Sequence, residues 1–297
     1  MDSGARGIVS HVQRFSTEDG QGIRTTVFFQ GCNLRCAWCH NPETWADTAS
    51  VLYYEHLCTH CLRCAGACGN HAHGGGGHRY DRRRCRASGR CVEVCRSGAL
   101  ALSGRIMDLD VLADSLMEDL PFFQGSGGGI TLSGGEPLLQ ADACAYLARR
   151  CAASGVTVLI DTAGCVPYAQ FAKVIPHADH FFFDLKAATG EDCTRLTGGN
   201  LPLILDNLAR LLQDGCKVTV RIPVIPGHND TIEGIAGFSG ILRRAGVRKA
   251  DLIPFHRMGS GKYRALGMDY VYRDADPPSA ETMRLLENHL SNALART

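Results

Sequence analysis

The residues best placed to do chemistry in this chain are cysteines. Cys32, Cys36 and Cys39 follow the apolar run Thr25-Thr-Val-Phe-Phe-Gln-Gly31 with the spacing C-x3-C-x2-C. Three thiolates on one short loop suit a soft metal. A [4Fe–4S] cube normally has four cysteine ligands, so here one iron would lack a protein thiolate and be open to a substrate. A structural zinc site completed by His40 is the other reading of the same residues.

A second cysteine group follows. Cys58, Cys61, Cys64 and Cys68 have the C-x2-C-x2-C-x3-C spacing of ferredoxins, and Cys85, Ser88, Cys91 and Cys95 repeat it with serine in the second place. In two-cluster ferredoxins the fourth cysteine of each run serves the other cluster. Crossing the runs gives one full set, Cys58, Cys61, Cys64 and Cys95, and one short set, Cys68, Cys85 and Cys91. Serine is a harder ligand than thiolate, so the second site is serine-ligated, a three-iron form, otherwise ligated, or absent. The proline that usually follows the fourth cysteine is replaced by Gly69 and Arg96. Four-cysteine zinc binding is the competing reading of the segment. His71, His73 and His78 are candidate ligands, but the Gly-rich stretch holding them reads as an irregular loop. Arg79, Arg82, Arg83, Arg84, Arg86 and Arg90 read as a solvated loop or as a docking face for an acidic flavodoxin or ferredoxin.

Polar groups also cluster after apolar runs further on. Gly134-Gly135-Glu136 offers backbone without a Cβ in the way, plus an acceptor for an ammonium group. Asp184 and Lys186 are two apart and so share one face of a strand, where they either pair with each other or bind a ligand. Arg221 could clamp a carboxylate or form a structural ion pair. Asp161-Thr162-Ala163-Gly164 and His256 sit in comparable places.

The elements that must position these groups alternate. Short apolar runs at Thr26–Phe29, Ile130–Leu132, Val156–Asp161, His180–Leu185, Val218–Val224 and Ala250–Pro254 read as strands. Helical patterns fill Leu109–Leu120, Leu138–Ala153, Tyr168–Ile175, Leu201–Asp214, Thr231–Arg244 and Ala280–Ala295. The class is α/β with parallel strands, and periodicity alone leaves an open doubly wound sheet and an incomplete barrel equally open. Composition divides the chain into residues 1–50, a Cys- and Arg-rich insert at 51–103, and 104–297. With 15 cysteines, ten of them between Cys32 and Cys95, and no apolar h-region at the start, a reducing cytoplasm is expected. The remaining cysteines, Cys144, Cys151, Cys165, Cys193 and Cys216, read as small buried apolar groups. A net charge of +1 gives no reason to expect nucleic acid or a membrane surface as partner.

Taken together, these strings resemble a known family. C-x3-C-x2-C after a first strand is similar to the radical S-adenosylmethionine (SAM) superfamily. Asp19-Gly20-Gln21-Gly22-Ile23-Arg24-Thr25 and Trp38-Cys39-His40-Asn41-Pro42-Glu43 resemble the D-G-x-G-x-R-T and W-C-x-N-P-E strings of one branch, the activating enzymes of glycyl radical enzymes. The resemblance implies a partial (β/α)6 TIM-like barrel with a ferredoxin-like insert. It implies a [4Fe–4S] cluster on Cys32, Cys36 and Cys39 whose open iron chelates SAM, so that a 5′-deoxyadenosyl radical takes a hydrogen from a glycine Cα of a partner glycyl radical enzyme. A SAM pocket is implied at Trp38, Cys39, His40, Gly134, Gly135, Glu136, Asp184, Leu185, Lys186, Arg221 and His256. Flavodoxin or ferredoxin is the implied electron donor. The rival functions are a radical SAM enzyme acting on a small molecule and an iron–sulfur electron carrier without SAM chemistry.

Overall fold

The computed structural model describes residues 4–74 and 77–295. Its strands are β1 (Arg6–Ser16), β2 (Arg24–Phe29), β3 (Ser50–Tyr53), β4 (His71–Gly74), β5 (Gly77–Tyr80), β6 (Leu100–Ser103), β7 (Arg105–Asp108), β8 (Gly129–Gly134), β9 (Thr157–Thr162), β10 (His180–Asp184), β11 (Val218–Val224) and β12 (Ala250–Pro254). The α-helices are α1 (Arg63–Ala67), α2 (Arg90–Glu93), α3 (Leu109–Met117), α4 (Leu120–Ser126), α5 (Ala141–Ala153), α6 (Tyr168–Val174), α7 (Gly190–Thr197), α8 (Leu201–Gln213), α9 (Ile232–Arg244), α10 (Ser260–Leu266) and α11 (Ala280–Ala295).

The main sheet runs β12-β11-β10-β9-β8-β2-β1-β7. From β2 to β12 the neighbours are parallel and follow chain order. An order that never reverses is that of a barrel and not of a doubly wound sheet, whose strand order turns back at a switch point. The fold is therefore the partial barrel, with helices outside and a polar lumen inside. Side-chain alternation makes the two faces distinct. Val27, Phe29, Ile130, Leu132, Val158, Ile160, Phe181, Phe183, Val220 and Ile222 face the helices and are buried. Thr131, Ser133, Asp161, Phe182, Asp184, Thr219 and Arg221 lie on the other face.

Within the barrel, three features depart from the sequence reading. The edge strands β1 and β7, both antiparallel, were not foreseen. The single helix expected over Leu109–Leu120 is two, because Pro121 opens α4 and cannot continue the hydrogen bonding of α3. The helix expected from Leu138 starts at Ala141 after a 3-10 turn; the Gln140 side chain is taken up by Ile8 and by the Gln30 carbonyl.

The string Asp19 to Thr25 builds the floor of the barrel. Arg24 is buried, donating to Thr131 Oγ1 at 2.8 Å, to the Ile130 carbonyl and to Thr157, while Asp19 accepts from Ser16 and Thr26 at 2.6 Å each. Gly22 has φ +72°, and a Cβ there would stand 2.5 Å from Gly128 N. Glycine is required by this contact between two backbones.

The insert leaves and rejoins the barrel side by side, because β3 pairs with β6. Inside it the Gly-rich stretch is not an irregular loop. It forms the β4–β5 hairpin, registering His71 with Tyr80 and Ala72 with Arg79; Gly75 and Gly76 and the His73 side chain lie outside the described residues. Ring stacking explains the order: the His71 ring centroid lies 4.6 Å from that of Tyr80 and 5.1 Å from that of His78, with the ring planes nearly parallel in both pairs. Arg82 does not belong to an open basic face. Its guanidinium donates to the Val51 carbonyl at 3.1 Å and the Ala265 carbonyl at 2.5 Å, tying the insert to α10.

Candidate functional site

The polar groups converge where the parallel strands end. Cys32, Cys36 and Cys39 occupy the loop after β2. Backbone N–H groups of Leu34 and Asn41 donate to the sulfurs of Cys32 and Cys39, each at 3.4 Å. Burial pushes the Cys32 and Cys36 thiols up to about 12 and raises Cys39, while the Lys186 ammonium draws all three down. Thiols this reluctant to ionise in the protein alone fit a soft metal that supplies the missing positive charge. Each of the three is within the field of the other two or of Lys186, so the donor set fits an iron–sulfur cluster with three protein thiolates.

Beside them lies a chain of alternating charges. Arg221 Nε donates to Asp184 Oδ1 at 2.8 Å and its fork reaches Asp161; Lys186 Nζ donates to Asp184 Oδ2 at 2.8 Å; Ser133 donates to Asp161 at 2.9 Å. Register sets this up, since Asp184 and Arg221 are partners in the β10–β11 ladder. Burial would raise Asp184, but Arg221 and Lys186 outweigh it and hold the carboxyl at about 2. Asp161, with one cation to share, is raised by burial. The ion-pair reading of Asp184, Lys186 and Arg221 is thus present in the structure. All four groups are still one-sixth to one-fifth exposed, toward the lumen. Two cations and two carboxylates held open in this way match a zwitterion with a charged amino acid end.

Other expected pocket residues take different parts. Leu185 is fully buried in the core, on the opposite side of the strand from Asp184, so only its backbone faces other groups. Trp38 is likewise buried in the core. Glu136 accepts from Leu138 N at 3.2 Å, Thr162 Oγ1 at 2.7 Å and Ala163 N at 2.9 Å. Burial raises its carboxyl to about 7 against these three donors. An ammonium contact would have to share Glu136 with the clamp it makes between the ends of β8 and β9. Gly134 and Gly135 are glycines for packing as well: a Cβ on Gly135 would meet Gly31 O at 2.1 Å.

His40 and His256 stack with ring centroids 3.8 Å apart, and His40 Nε2 lies 2.9 Å from the His256 carbonyl. Burial, then the neighbouring His256, lowers His40 to about 4, so the ring is neutral near pH 7. His256 Nδ1 is buried without a hydrogen bond. An orphaned buried nitrogen beside the cysteine loop fits a bound molecule with a polar group of its own. Sequence reasoning noted Thr162 only within the Asp161–Gly164 string, without its Glu136 partner, and missed Ser133 and the clamp formed by Lys262, whose Nζ reaches Asn41 Oδ1 at 2.7 Å and Glu43 Oε1 at 2.5 Å. The partners of Thr162 and Lys262 are distant in sequence, which leaves no local signal.

In the insert, Cys58, Cys61, Cys64 and Cys95 line one pocket, together with His78. Cys91 is raised to about 11 by burial and then by the nearby Cys68 and Cys85. Two groups of thiols are therefore brought together, in the crossed arrangement. Cys64, His71 and His78 also place their ligand atoms within 4.8 Å of one another, so the histidines lie against one of the two thiol groups.

The radical SAM superfamily profile matches residues 26–238. The choline trimethylamine-lyase activating enzyme of Oleidesulfovibrio alaskensis is 37% identical over 274 residues, covering 89% of this chain and 88% of that protein. The pyruvate formate-lyase 2-activating enzyme of Escherichia coli K12 is 35% identical over 272 residues, covering 92% and 85%. A radical SAM methyltransferase from Sphaerobacter thermophilus shares the fold, with a TM-score of 0.52 and 16% identity over 96% of this chain and 74% of that one. Among the described residues no helix is long and apolar enough to cross a membrane. The cysteine loop, the barrel and these relatives lead to one conclusion: the chain belongs to the radical SAM superfamily and, within it, to the activating enzymes of glycyl radical enzymes.

Proposed function

We propose that Cys32, Cys36 and Cys39 hold the radical-generating [4Fe–4S] cluster, and that the lumen beside them binds SAM for hydrogen abstraction from a glycine of a partner glycyl radical enzyme. When bound, cluster and cosubstrate supply a one-electron cleavage that leaves a carbon radical able to take a hydrogen atom. The chain's own residues do the positioning. Arg221 and Lys186 face a carboxylate, Asp161 and Asp184 face an ammonium or ribose hydroxyls, and His256 Nδ1 offers one more polar contact. The neutral His40–His256 stack walls the site without adding charge. The observation that carries this reading is the convergence, where the parallel strands end, of the buried Cys36 and the part-buried Cys32 and Cys39 on one loop with the Asp161–Arg221–Asp184–Lys186 chain of charges.

A groove lined by His11, Phe28, Asn41, Glu43, Tyr54 and Lys262 opens between the barrel edge and the insert. It is our candidate path for the partner's glycine segment. The insert, residues 51–103, reads as an electron relay with a complete cluster on Cys58, Cys61, Cys64 and Cys95, supplied by a flavodoxin or ferredoxin. A reducing cytoplasm is our reading of where the chain works, from the metal-type spacing of its clustered cysteines.

The test is anaerobic reconstitution followed by EPR. Adding SAM to the reduced protein should change the cluster spectrum, and C36A should abolish that change. With a matched glycyl radical protein present, a glycine-centred doublet should form. A cluster spectrum indifferent to SAM would refute the assignment. SAM cleavage without any doublet on a panel of glycyl radical proteins would favour a small-molecule substrate.

A further inference from the structure

The two halves of the insert are related by a constant offset of 27 residues. Cys58, Cys61, Cys64 and Cys68 correspond to Cys85, Ser88, Cys91 and Cys95. β3 (Ser50–Tyr53) corresponds to β5 (Gly77–Tyr80), and the 3-10 turns Glu55–Leu57 and Arg82–Arg84 correspond end to end. α1 and α2 begin at Arg63 and Arg90, again 27 apart. The backbone repeats its left-handed positions, with strain at His60, Leu62 and Ala87 and none at Gly89. His60 and Ala87 have φ of 53° and 47°, and Leu62 and Gly89 have 63° and 77°. Left-handed conformations at non-glycine residues are costly and persist only where the surroundings enforce them. Tyr53 stands beside Cys58, and Tyr80 beside Cys85, at the same 27-residue offset.

In this frame Ser88 is the counterpart of Cys61. Both are exposed. The second half therefore keeps the shape of a cluster loop, with Ala87 N donating to Cys85 Sγ at 3.3 Å as cluster loops do, and lacks sulfur at one corner only. Cys68 and Cys91 complete the same thiol group from the buried side. A degenerated site would have no reason to preserve the strained turn around the missing ligand.

We propose that the insert holds two unequal clusters: the four-thiolate cube, and a cube on Cys68, Cys85 and Cys91 whose fourth iron lies at the surface beside Ser88, bound by oxygen and exchangeable. This rests on the reading of the insert as an iron–sulfur module. Its chemical signature is conversion by mild oxidation. Ferricyanide takes one electron from the [4Fe–4S]2+ form, the corner iron leaves as Fe2+, and [3Fe–4S]+ remains; charge and iron balance.

The experiment uses the full chain carrying C32A/C36A/C39A, so that all iron belongs to the insert. After anaerobic reconstitution the chain should hold about eight irons, and ferricyanide should give a three-iron EPR signal of about one spin per chain while releasing about one iron. S88C should abolish the signal and the release. C61S, which places the same defect in the other half, should double both. If the triple variant does not fold, the native chain with saturating SAM covering its open iron gives the same readout. A three-iron signal that survives S88C would overturn the proposal, as would about four irons in the Ser88 chain rising to about eight in S88C, which means an empty site. Either result leaves the iron–sulfur reading of the insert standing. Zinc, or no metal, in both Ser88 and S88C chains would overturn that reading too.

Discussion

Lys262 Nζ lies 2.5 Å from Glu43 Oε1, an ion pair that joins α10 to the loop carrying the cluster cysteines. Glu43 is buried, and its other carboxylate oxygen has no hydrogen bond. K262M should therefore leave an uncompensated carboxylate and cost about 2–4 kcal/mol. E43Q/K262M should recover most of it. The urea midpoint of the anaerobic protein measures both, and an unchanged midpoint in K262M would show the pair to be idle.

Arg221 holds Asp161 and Asp184 together. R221M should leave iron content intact and weaken SAM binding at least about tenfold, the cost of one lost charge-assisted contact or more. R221K, which keeps the charge and loses the fork, should fall between. Equilibrium binding of SAM to the reconstituted protein decides it; native affinity in R221M would remove Arg221 from the site.

Glu136 sets a pH dependence with a definite sign. Its folded value, about 7, lies above the ordinary carboxyl value near 4.3. Its contribution to stability is thus complete below pH of about 4 and is lost as pH rises through about 7. E136Q cannot titrate. It also turns an amide toward the Leu138 and Ala163 N–H groups, and should be less stable than native at pH 5. The gap should narrow by pH 8, read from urea midpoints. A gap independent of pH would contradict the buried, raised carboxyl.

Basic residues of the insert separate by role. Arg83, Arg84, Arg86 and Arg90 are exposed, whereas Arg82 is half-buried and bonded to two carbonyls. R83E/R84E should slow reduction by an acidic flavodoxin at low salt, and the effect should shrink as salt rises. R82E should instead destabilise the insert at any salt. Rates of R83E/R84E equal to native at low salt would dismiss a docking role.

G128A should be severely destabilising, by about 3 kcal/mol or more, because its Cβ would stand 1.9 Å from the Ile23 carbonyl oxygen. The thermal unfolding midpoint checks it; a change of a degree or two would mean that the floor yields.

The sequence-based reading reached some levels of this structure and not others, for reasons visible in single residues. Val218–Val224 and Ala250–Pro254 emerge with the expected bounds, because each is a short apolar run stopped by turn residues. β1 escaped notice since its burial alternates with exposed His11, Gln13 and Phe15, and its pairing is antiparallel to a strand eight residues later. The lumen charges were visible as residues, but the bond from Arg221 to Asp161 spans 60 positions, and no local pattern encodes it. Glu136 was legible as an acceptor; that three protein donors already occupy it follows only from the meeting of β8 and β9. The cysteine spacing of the insert could be read directly. Its histidine hairpin could not, because stacking between His71 and Tyr80 depends on a register that glycine-rich sequence does not announce.

The ordering of the main sheet has one more consequence. Among the described residues β12 and β7 end it without meeting, so the wall around the lumen is a trough and not a ring. A glycine in the middle of a folded polypeptide has chain on both sides and cannot be fed through a ring end-first. Under the proposed function, a trough would give such a segment a side entrance, as a bight of rope drops over a hook, with neither end having to pass through.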